Sequence, residues 1–176
     1  MKKKERPKGR GTELRPTKAR VREALFDILR PRVEDAIFLD LYAGTGAVGI
    51  NALKEGAASA MFVEESRHSA KDIFELLQKT KLIDRAEVMQ KQALTFIKWA
   101  ELDGSSFDII FLDPPYHNDE INLILPALAE SPLLNRDGVI IAEHSSKIQL
   151  PESIHSLEKI KDYHYGDSVL SFYRQD

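Results

Sequence analysis

Asp113-Pro114-Pro115-Tyr116 is the segment of this chain with the most specific chemistry. An exocyclic amine on a nucleic-acid base is a poor nucleophile because its lone pair is delocalised into the ring. Two acceptors that bind its two hydrogens favour the tetrahedral geometry that frees the pair. Asp113 offers a carboxylate and Pro114 a backbone carbonyl. The prolines fix the backbone so that both oxygens converge. Both acceptors also suit the positive charge that grows on nitrogen during alkylation. Tyr116 offers a ring face on which a base can stack. The bland alternative is a proline-rich turn with a packed tyrosine. That reading loses ground because the tetrapeptide follows a fourth strand, downstream of a loop suited to a nucleoside.

That loop is Asp40-Leu41-Tyr42-Ala43-Gly44-Thr45-Gly46-Ala47-Val48-Gly49. Its glycines spell GxGxxG between a strand and a helix, where glycine allows positive φ and close approach of backbone to ligand. Glu64 follows the second strand, 20 residues after Gly44. A carboxylate there can accept hydrogen bonds from both ribose hydroxyls of an adenosine ligand. Nicotinamide dinucleotides and S-adenosyl-L-methionine both satisfy this pattern. Asp40 at the strand end leans toward the latter, which carries a sulfonium and an ammonium and has no pyrophosphate. Candidate cofactor contacts are therefore Asp40, Tyr42, Ala43, Gly44, Thr45, Gly46 and Glu64. Glu65 is the rival acid, but strand alternation aims it the other way.

The elements that must carry these groups follow from periodicity. Residues 1–14 combine many charges with little apolar content and read as a basic flexible arm; residues 15–176 read as one domain. Pro16-Thr17 opens a helix that Thr17 can cap, with Val21, Ala24, Leu25, Ile28 and Leu29 at helical spacing, and Pro31 stops it. Strands are predicted at Ala36–Leu41, Ala58–Val63, Ala86–Met89, Phe107–Leu112 and Val139–Ala142. They alternate with helices at Gly46–Lys54, Arg67–Lys79, Ala93–Leu102 and Glu120–Ala129. After Ala142 the alternation ends. Ile154–Ile160 and Ser168–Tyr173 read as a hairpin turning at Tyr165-Gly166-Asp167. Such a pattern predicts an α/β, doubly wound, mainly parallel sheet with an antiparallel hairpin at one edge. Ligands then bind at the carboxyl ends of the strands, near the switch in strand order.

Composition narrows the chemistry further. With 176 residues, 43% hydrophobic and 30% charged, the chain suits one globular domain. It has no cysteine, so disulfides, thiolate zinc sites and a covalent thiol nucleophile are excluded. The histidines, at 68, 117, 144, 155 and 164, have no metal-ligand spacing, and no metal is expected. His117, Glu143 and His144 sit at strand ends and read as pocket lining. No apolar run approaches the roughly 20 residues of a membrane span. The charged start lacks a signal-peptide core, so a cytoplasmic location is expected. No long exposed apolar helix demands a partner, and a monomer is expected.

From Leu14 to its end the chain resembles the RsmD-type 16S rRNA (guanine-N2)-methyltransferases. The resemblance rests on Leu14-Arg15-Pro16-Thr17, Arg20-Val21-Arg22-Glu23-Ala24-Leu25-Phe26, DLYAGTGAVGI over 40–50, Glu64, DPPY over 113–116, and Tyr165-Gly166-Asp167. It implies a Rossmann-like class I methyltransferase fold with seven strands. It implies a turn at Arg15–Thr17, with Thr17 among the cofactor contacts, folded over the cofactor and target pocket. After strand three methyltransferases often carry Asp or Asn to bind the adenine amine; this chain departs from that pattern with Gln92, followed by Ala93, and the Gln92 amide oxygen can still accept the bond. The implied partner is 16S rRNA or a small-subunit assembly intermediate, and the basic charge of the arm and first helix marks Lys8, Arg10, Arg15, Arg20 and Arg22 as the expected RNA contacts. The start MKKKERPKGR replaces a longer apolar strand usual in the family, so the docking surface for RNA can differ. Three other readings stay open: an adenine-N6 methyltransferase, which DPPY does not exclude; a nicotinamide-dependent oxidoreductase, which leaves DPPY without a role; and a non-catalytic RNA-binding module, which explains neither loop.

Charge asymmetry yields a test. Residues 1–32 hold twelve Lys or Arg against four Asp or Glu, a net of +8, while the remainder holds thirteen against twenty-four, a net of −11. A basic arm on an acidic body fits a polyanion. If about four arm cations neutralise phosphates of a single-stranded loop, log affinity for RNA should fall against log salt with a slope near −3. Deleting residues 2–10 should flatten that slope and weaken all RNA sequences alike. Salt titrations giving equal slopes and affinities for both chains would assign RNA docking to Lys18, Arg20 and Arg22 instead.

Overall fold

Phe107–Leu112 reads FDIIFL, and five of its six side chains are buried. A strand without a solvent face must lie inside a sheet covered on both sides. The computed structural model, which describes residues 14–115 and 119–176 and side chains from Lys18 onward, places it in that position. It is β4 of an eight-stranded sheet in the order β3-β2-β1-β4-β5-β8-β7-β6. The strands are β1 Ile37–Asp40, β2 Ser59–Glu64, β3 Ala86–Gln90, β4 Phe107–Leu112, β5 Leu134–Ser145, β6 Ser153–Ile154, β7 Leu157–Tyr165 and β8 Ser168–Gln175. The first five run parallel, and β8, β7 and β6 are antiparallel. The chain order reverses between β1 and β4, which opens a crevice beyond their carboxyl ends.

Helices cover both faces. On one, α1 Leu14–Val33, α2 Ala47–Lys54 and α3 Arg67–Lys79 lie over the sheet. Leu25, Phe26, Leu29, Leu53, Ile73 and Leu77 meet Phe38, Phe62, Phe111 and Ile141 there. On the other, α4 Ala93–Asp103 and α5 Ile121–Glu130 bury Phe96, Ile97, Ile124 and Leu128 against Leu39, Ile110, Leu112 and Ala142. Strand parity sorts the side chains: Phe38, Phe111 and Ile141 face α1, so Asp40, Asp113 and Glu143, each two residues later, have the same parity.

The α/β expectation holds, with differences at element ends. The sheet has eight strands instead of seven, because the two-residue β6 pairs with β7 through Ser153–Glu158 and Ile154–Leu157. So short a strand carries no alternation to detect. Strand β5 begins five residues before Val139, since Leu134 also pairs with Phe107 of β4 across an irregularity. Helix α1 runs past both of its prolines. Pro16 lies in the first turn, where a missing N–H costs nothing, so Thr17 lies inside the helix and not at its cap. Pro31 lies in the last turn, where the helix ends two residues later. The hairpin turns at Gly166, at φ 58°, and β7 carries a bulge between Lys159 and Lys161. No helix of the described residues is long and apolar enough to cross a membrane.

The third glycine of the loop permits close contact of helix and sheet. A Cβ on Gly49 would collide with the ring of Phe62 on β2, itself fully buried. Gly49→Ala should therefore cost about 1–3 kcal/mol, the range for overpacking a filled core. Urea unfolding measures it, and an unchanged midpoint would show that α2 is free to shift.

Candidate active site at the switch in strand order

The turn from β1 to α2 is built from backbone hydrogen bonds to neighbouring strands. Leu41 N–H donates to the Phe111 carbonyl at 2.9 Å and Ala43 N–H to the Val63 carbonyl at 2.9 Å. Gly44, at φ 54°, has open space where a Cβ would stand, so its backbone faces the crevice bare. Its N–H donates to Glu64 Oε2 at 2.8 Å, and Ser66 N–H donates to Glu64 Oε1 at 2.9 Å. Glu64 thus clamps the glycine turn to the end of β2. Asp40 does similar work from β1: its Oδ2 accepts the Gly49 N–H at 3.0 Å, tying the strand to α2.

Beyond these strand ends lies a cavity of about 440 Å³, within the range of small-ligand sites. Tyr42, Gly44, Glu64, Gln92, Ala93, Asp113, Pro114 and Pro115, all expected from sequence, line it. Asp40, at the end of β1, and Ala43, Thr45 and Gly46, in the turn, are not among its lining residues. Gln92 is the N-cap residue of α4, yet its side chain makes no capping bond and is free for a ligand. The phenol oxygen of Tyr42 is buried beside the Glu120 carboxylate without a well-formed hydrogen bond among the described residues, so a bound polar group can engage it. The side chains of Arg15 and Thr17 fall outside the described residues, as do Lys8, Arg10, Tyr116 and His117. Arg20, exposed, and Arg22, half-buried, sit on α1.

Several lining residues are not among those expected. Glu65 lines the cavity, contrary to the strand-alternation reading, because β2 ends at Glu64 and alternation ends with it. Lys18, Lys91 and Glu120 also line it, and Leu123 and Ile124 of α5 supply apolar wall. Lys91 reaches it from the end of β3, while helix packing, which nothing in the local sequence marks, brings Lys18, Glu120, Leu123 and Ile124 there. A smaller hollow of about 70 Å³ shares Pro114 and Pro115 and reaches Glu143 and His144. His144 is buried and its ring is engaged: Nδ1 lies 3.0 Å from the Ser145 carbonyl and Nε2 2.7 Å from Ser171 Oγ. Among the described residues no cluster suited to a metal ion occurs.

Crowded carboxyl groups set the electrostatics. Burial raises Asp40 to about 7, with Asp113 and Glu64 adding to the rise and the Gly49 N–H opposing it. Burial also lifts Asp113 above the ordinary carboxylate range, against the pull of the Lys18 ammonium. The cavity is lined by four carboxyl groups, Glu64, Glu65, Asp113 and Glu120, against two ammonium groups, Lys18 and Lys91, an acidic balance that favours cationic ligand groups over a pyrophosphate.

Sheet order, glycine turn and acid at the end of β4 together define a Rossmann-like class I methyltransferase. A family model described as Conserved hypothetical protein 95 matches residues 1–174. YlbH of Bacillus subtilis is 32% identical over 165 residues, spanning 94% of this chain and 90% of its own. Ribosomal RNA small subunit methyltransferase D of Escherichia coli K12 is 33% identical over 138 residues, 78% of this chain and 68% of its own. The solved structure of a Thermus thermophilus protein, TTHA0928, superposes with a TM-score of 0.78 at 31% identity, covering 93% of this chain and 90% of that one. The chain belongs to the Conserved hypothetical protein 95 family, and its resemblance to the RsmD-type methyltransferases holds.

The raised acid of β1 gives a pH test. A carboxyl bound more tightly to its proton in the folded state than in the unfolded state favours folding at low pH. That advantage is lost as pH climbs from about 4, the unfolded value, to about 7. In Asp40→Asn the amide oxygen can still accept the Gly49 N–H but does not titrate. Relative to wild type, the variant should gain up to about 1.4 kcal/mol per pH unit between pH 5 and 7. Urea unfolding at several pH values checks this, and a constant difference would mean that Asp40 titrates normally.

Proposed function

We propose that this chain transfers the methyl group of S-adenosyl-L-methionine to the exocyclic N2 amine of a guanine in 16S rRNA. The observation that carries the reading is the placing of Asp113 and Pro114 on the wall of the same cavity that exposes Gly44 and Glu64. A nucleoside site and a pair of amine acceptors thus share one space. The names of relatives such as the Escherichia coli enzyme favour ribosomal RNA as the substrate.

The cofactor, when bound, supplies an electrophilic methyl on a cationic sulfonium and leaves as a neutral thioether. Glu64 keeps lone pairs after its two backbone bonds and can take ribose hydroxyls. Gln92, uncommitted at the start of α4, can accept from the adenine amine. Tyr42 and Glu120 set a hydroxyl and a carboxylate side by side in the pocket. Acids around the pocket suit the sulfonium and the ammonium of this ligand, which supports it over a nicotinamide dinucleotide.

For the target base, the Asp113 carboxylate and the Pro114 carbonyl accept the two amine hydrogens and draw nitrogen toward tetrahedral geometry. As the nitrogen gains its new bond to carbon it becomes positive, and both acceptors stabilise that charge. The surplus proton then leaves to Asp113 or to water. Tyr116 is positioned in sequence to stack on the base. Basic residues before and on α1, including Arg10, Arg15, Arg20 and Arg22, hold the RNA backbone. A base inside a duplex cannot reach such a pocket, so the target lies in a loop or is flipped out of its stack.

Incubation with S-adenosyl-L-methionine and small-subunit RNA, followed by digestion to nucleosides, tests the reading. The expected product is N2-methylguanosine; N6-methyladenosine, or no methylation, would overturn it. Asp113→Ala should leave cofactor affinity nearly intact and slow methyl transfer by about 100-fold or more, the scale for losing one preorganised transition-state contact. Activity within a few-fold of wild type would remove Asp113 from the mechanism.

A further inference from the structure

Glu143 is a buried acid without an assigned task. It stands at the carboxyl end of β5 with 8% of its surface exposed, and it makes no ion pair among the described residues. Burying a carboxyl group is costly, and the Ser168 hydroxyl leaves most of the Glu143 lone pairs unused, so such a group marks a place where a ligand can supply a further donor. Its position is specific. The last registered pair between β4 and β5 is Leu112 with Ala142, so Asp113 and Glu143 are the next residues along two adjacent parallel strands. Strand parity gives both the face covered by α1, and Lys18 of that helix acts on both. Glu143 also borders the small hollow whose other wall is Pro114 and Pro115.

Two neighbouring carboxyls suit one kind of base edge. Where Asp113 holds an exocyclic amine, a second acceptor one strand over needs a second donor beside that amine. On guanine the ring N1–H stands next to the N2 amine. On adenine and cytosine the ring nitrogen beside the amine is itself an acceptor, and a carboxylate there would be repelled. Resting on the reading of Asp113 as the amine acceptor, we propose that Glu143 selects the target base by accepting the N1–H of guanine. The two acids and the guanine edge then form two parallel hydrogen bonds, one to each carboxylate. Glu143 is thus a specificity-determining residue, distinct from the amine acceptors that promote transfer.

The electrostatics of the pair agree with this role. Burial raises Glu143 to about 7, and the Asp113 carboxylate adds to the rise, while Lys18 and the Ser168 hydroxyl oppose it. An incoming N1–H would supply a donor that favours the ionised form, whereas an adenine ring nitrogen would favour the protonated one. Discrimination is therefore strongest above about pH 7, where Glu143 is ionised and a wrong edge leaves it unpaired, the type of rejection that can exceed what an apolar pocket achieves.

A test uses 2,6-diaminopurine, which keeps the 2-amine of guanine but has an acceptor at N1. RNA carrying either base at the methylated position is offered to wild type, Glu143→Gln and Glu143→Asp, and kcat/KM is measured for each. At about pH 9, where Glu143 is ionised, wild type should favour guanine by about 100-fold, and the preference should shrink as pH falls toward 7. Glu143→Gln, whose amide can donate to the diaminopurine N1, should lose at least about tenfold of that preference. Glu143→Asp should retain a preference for guanine. Unchanged calorimetric affinity of the Gln variant for S-adenosyl-L-methionine shows that the fold and first site are intact. Equal losses on both bases, or a preference unaltered by the Gln substitution, would overturn the role of Glu143 while leaving methylation at Asp113 standing. Failure of wild type to methylate either base would overturn the reading of the site, and this proposal with it.

Discussion

Four acids stand at the ends of four consecutive strands, and keeping them together is the constraint that shapes the rest of the molecule. Glu64, Asp40, Asp113 and Glu143 lie at the ends of β2, β1, β4 and β5, which are neighbours in that order. Burial raises the affinity of Asp40, Asp113 and Glu143 for protons, and neighbouring carboxylates add to the rise at Asp40 and Glu143. Backbone amides relieve part of the strain: Gly49 serves Asp40, and Gly44 and Ser66 serve Glu64. That arrangement explains the glycines. Gly44 must turn its N–H inward to reach a carboxylate, and Gly49 must let α2 approach β1 closely enough to donate. Lys18 of α1 offsets the remaining pair, Asp113 and Glu143. The first helix is therefore an electrostatic component of the crevice as well as a cover for the sheet.

Most of the fold is legible in the sequence because two periodicities alternate cleanly along it. FDIIFL cannot be an exposed strand, and Arg67–Lys79 has helical spacing from its first residue to its last. The motifs are legible because they occupy the turn positions where backbone must approach a ligand. What stays hidden depends on tertiary placement. Alternation along β2 points Glu65 away from the cavity, but that alternation stops one residue earlier. Lys18 and Glu120 carry no motif, and only helix packing brings them to the pocket. Prolines mislead at α1, since their effect depends on which turn they occupy.

The hairpin that replaces a final crossover helix gives β5 a polar backing. On the face opposite Glu143, His144 Nε2 lies 2.7 Å from Ser171 Oγ, which donates to Asp162 Oδ1 at 2.6 Å. Lys159 Nζ then donates to Asp162 Oδ2 at 3.2 Å, to Glu152 Oε1 at 3.0 Å and to the Leu150 carbonyl at 2.8 Å. This chain of bonds links β5, β8 and β7 side by side. It holds the end of β5 from behind, so Glu143 projects from a strand whose register cannot easily slip.

A sheet with a free long edge invites other chains to pair with it, and this one ends differently. Its outermost strand, β6, is two residues long, and β7 beneath it is bent by the bulge between Lys159 and Lys161. The ammonium of Lys161 lies 4.9 Å from the ring centre of Tyr163, near the same margin. At this edge a strand from a nascent or misfolded chain would meet β6 and then a stretch of β7 whose bulge interrupts the run of aligned amides. Such a border protects against cross-chain aggregation during synthesis, when parallel strands far apart in sequence are still waiting for partners.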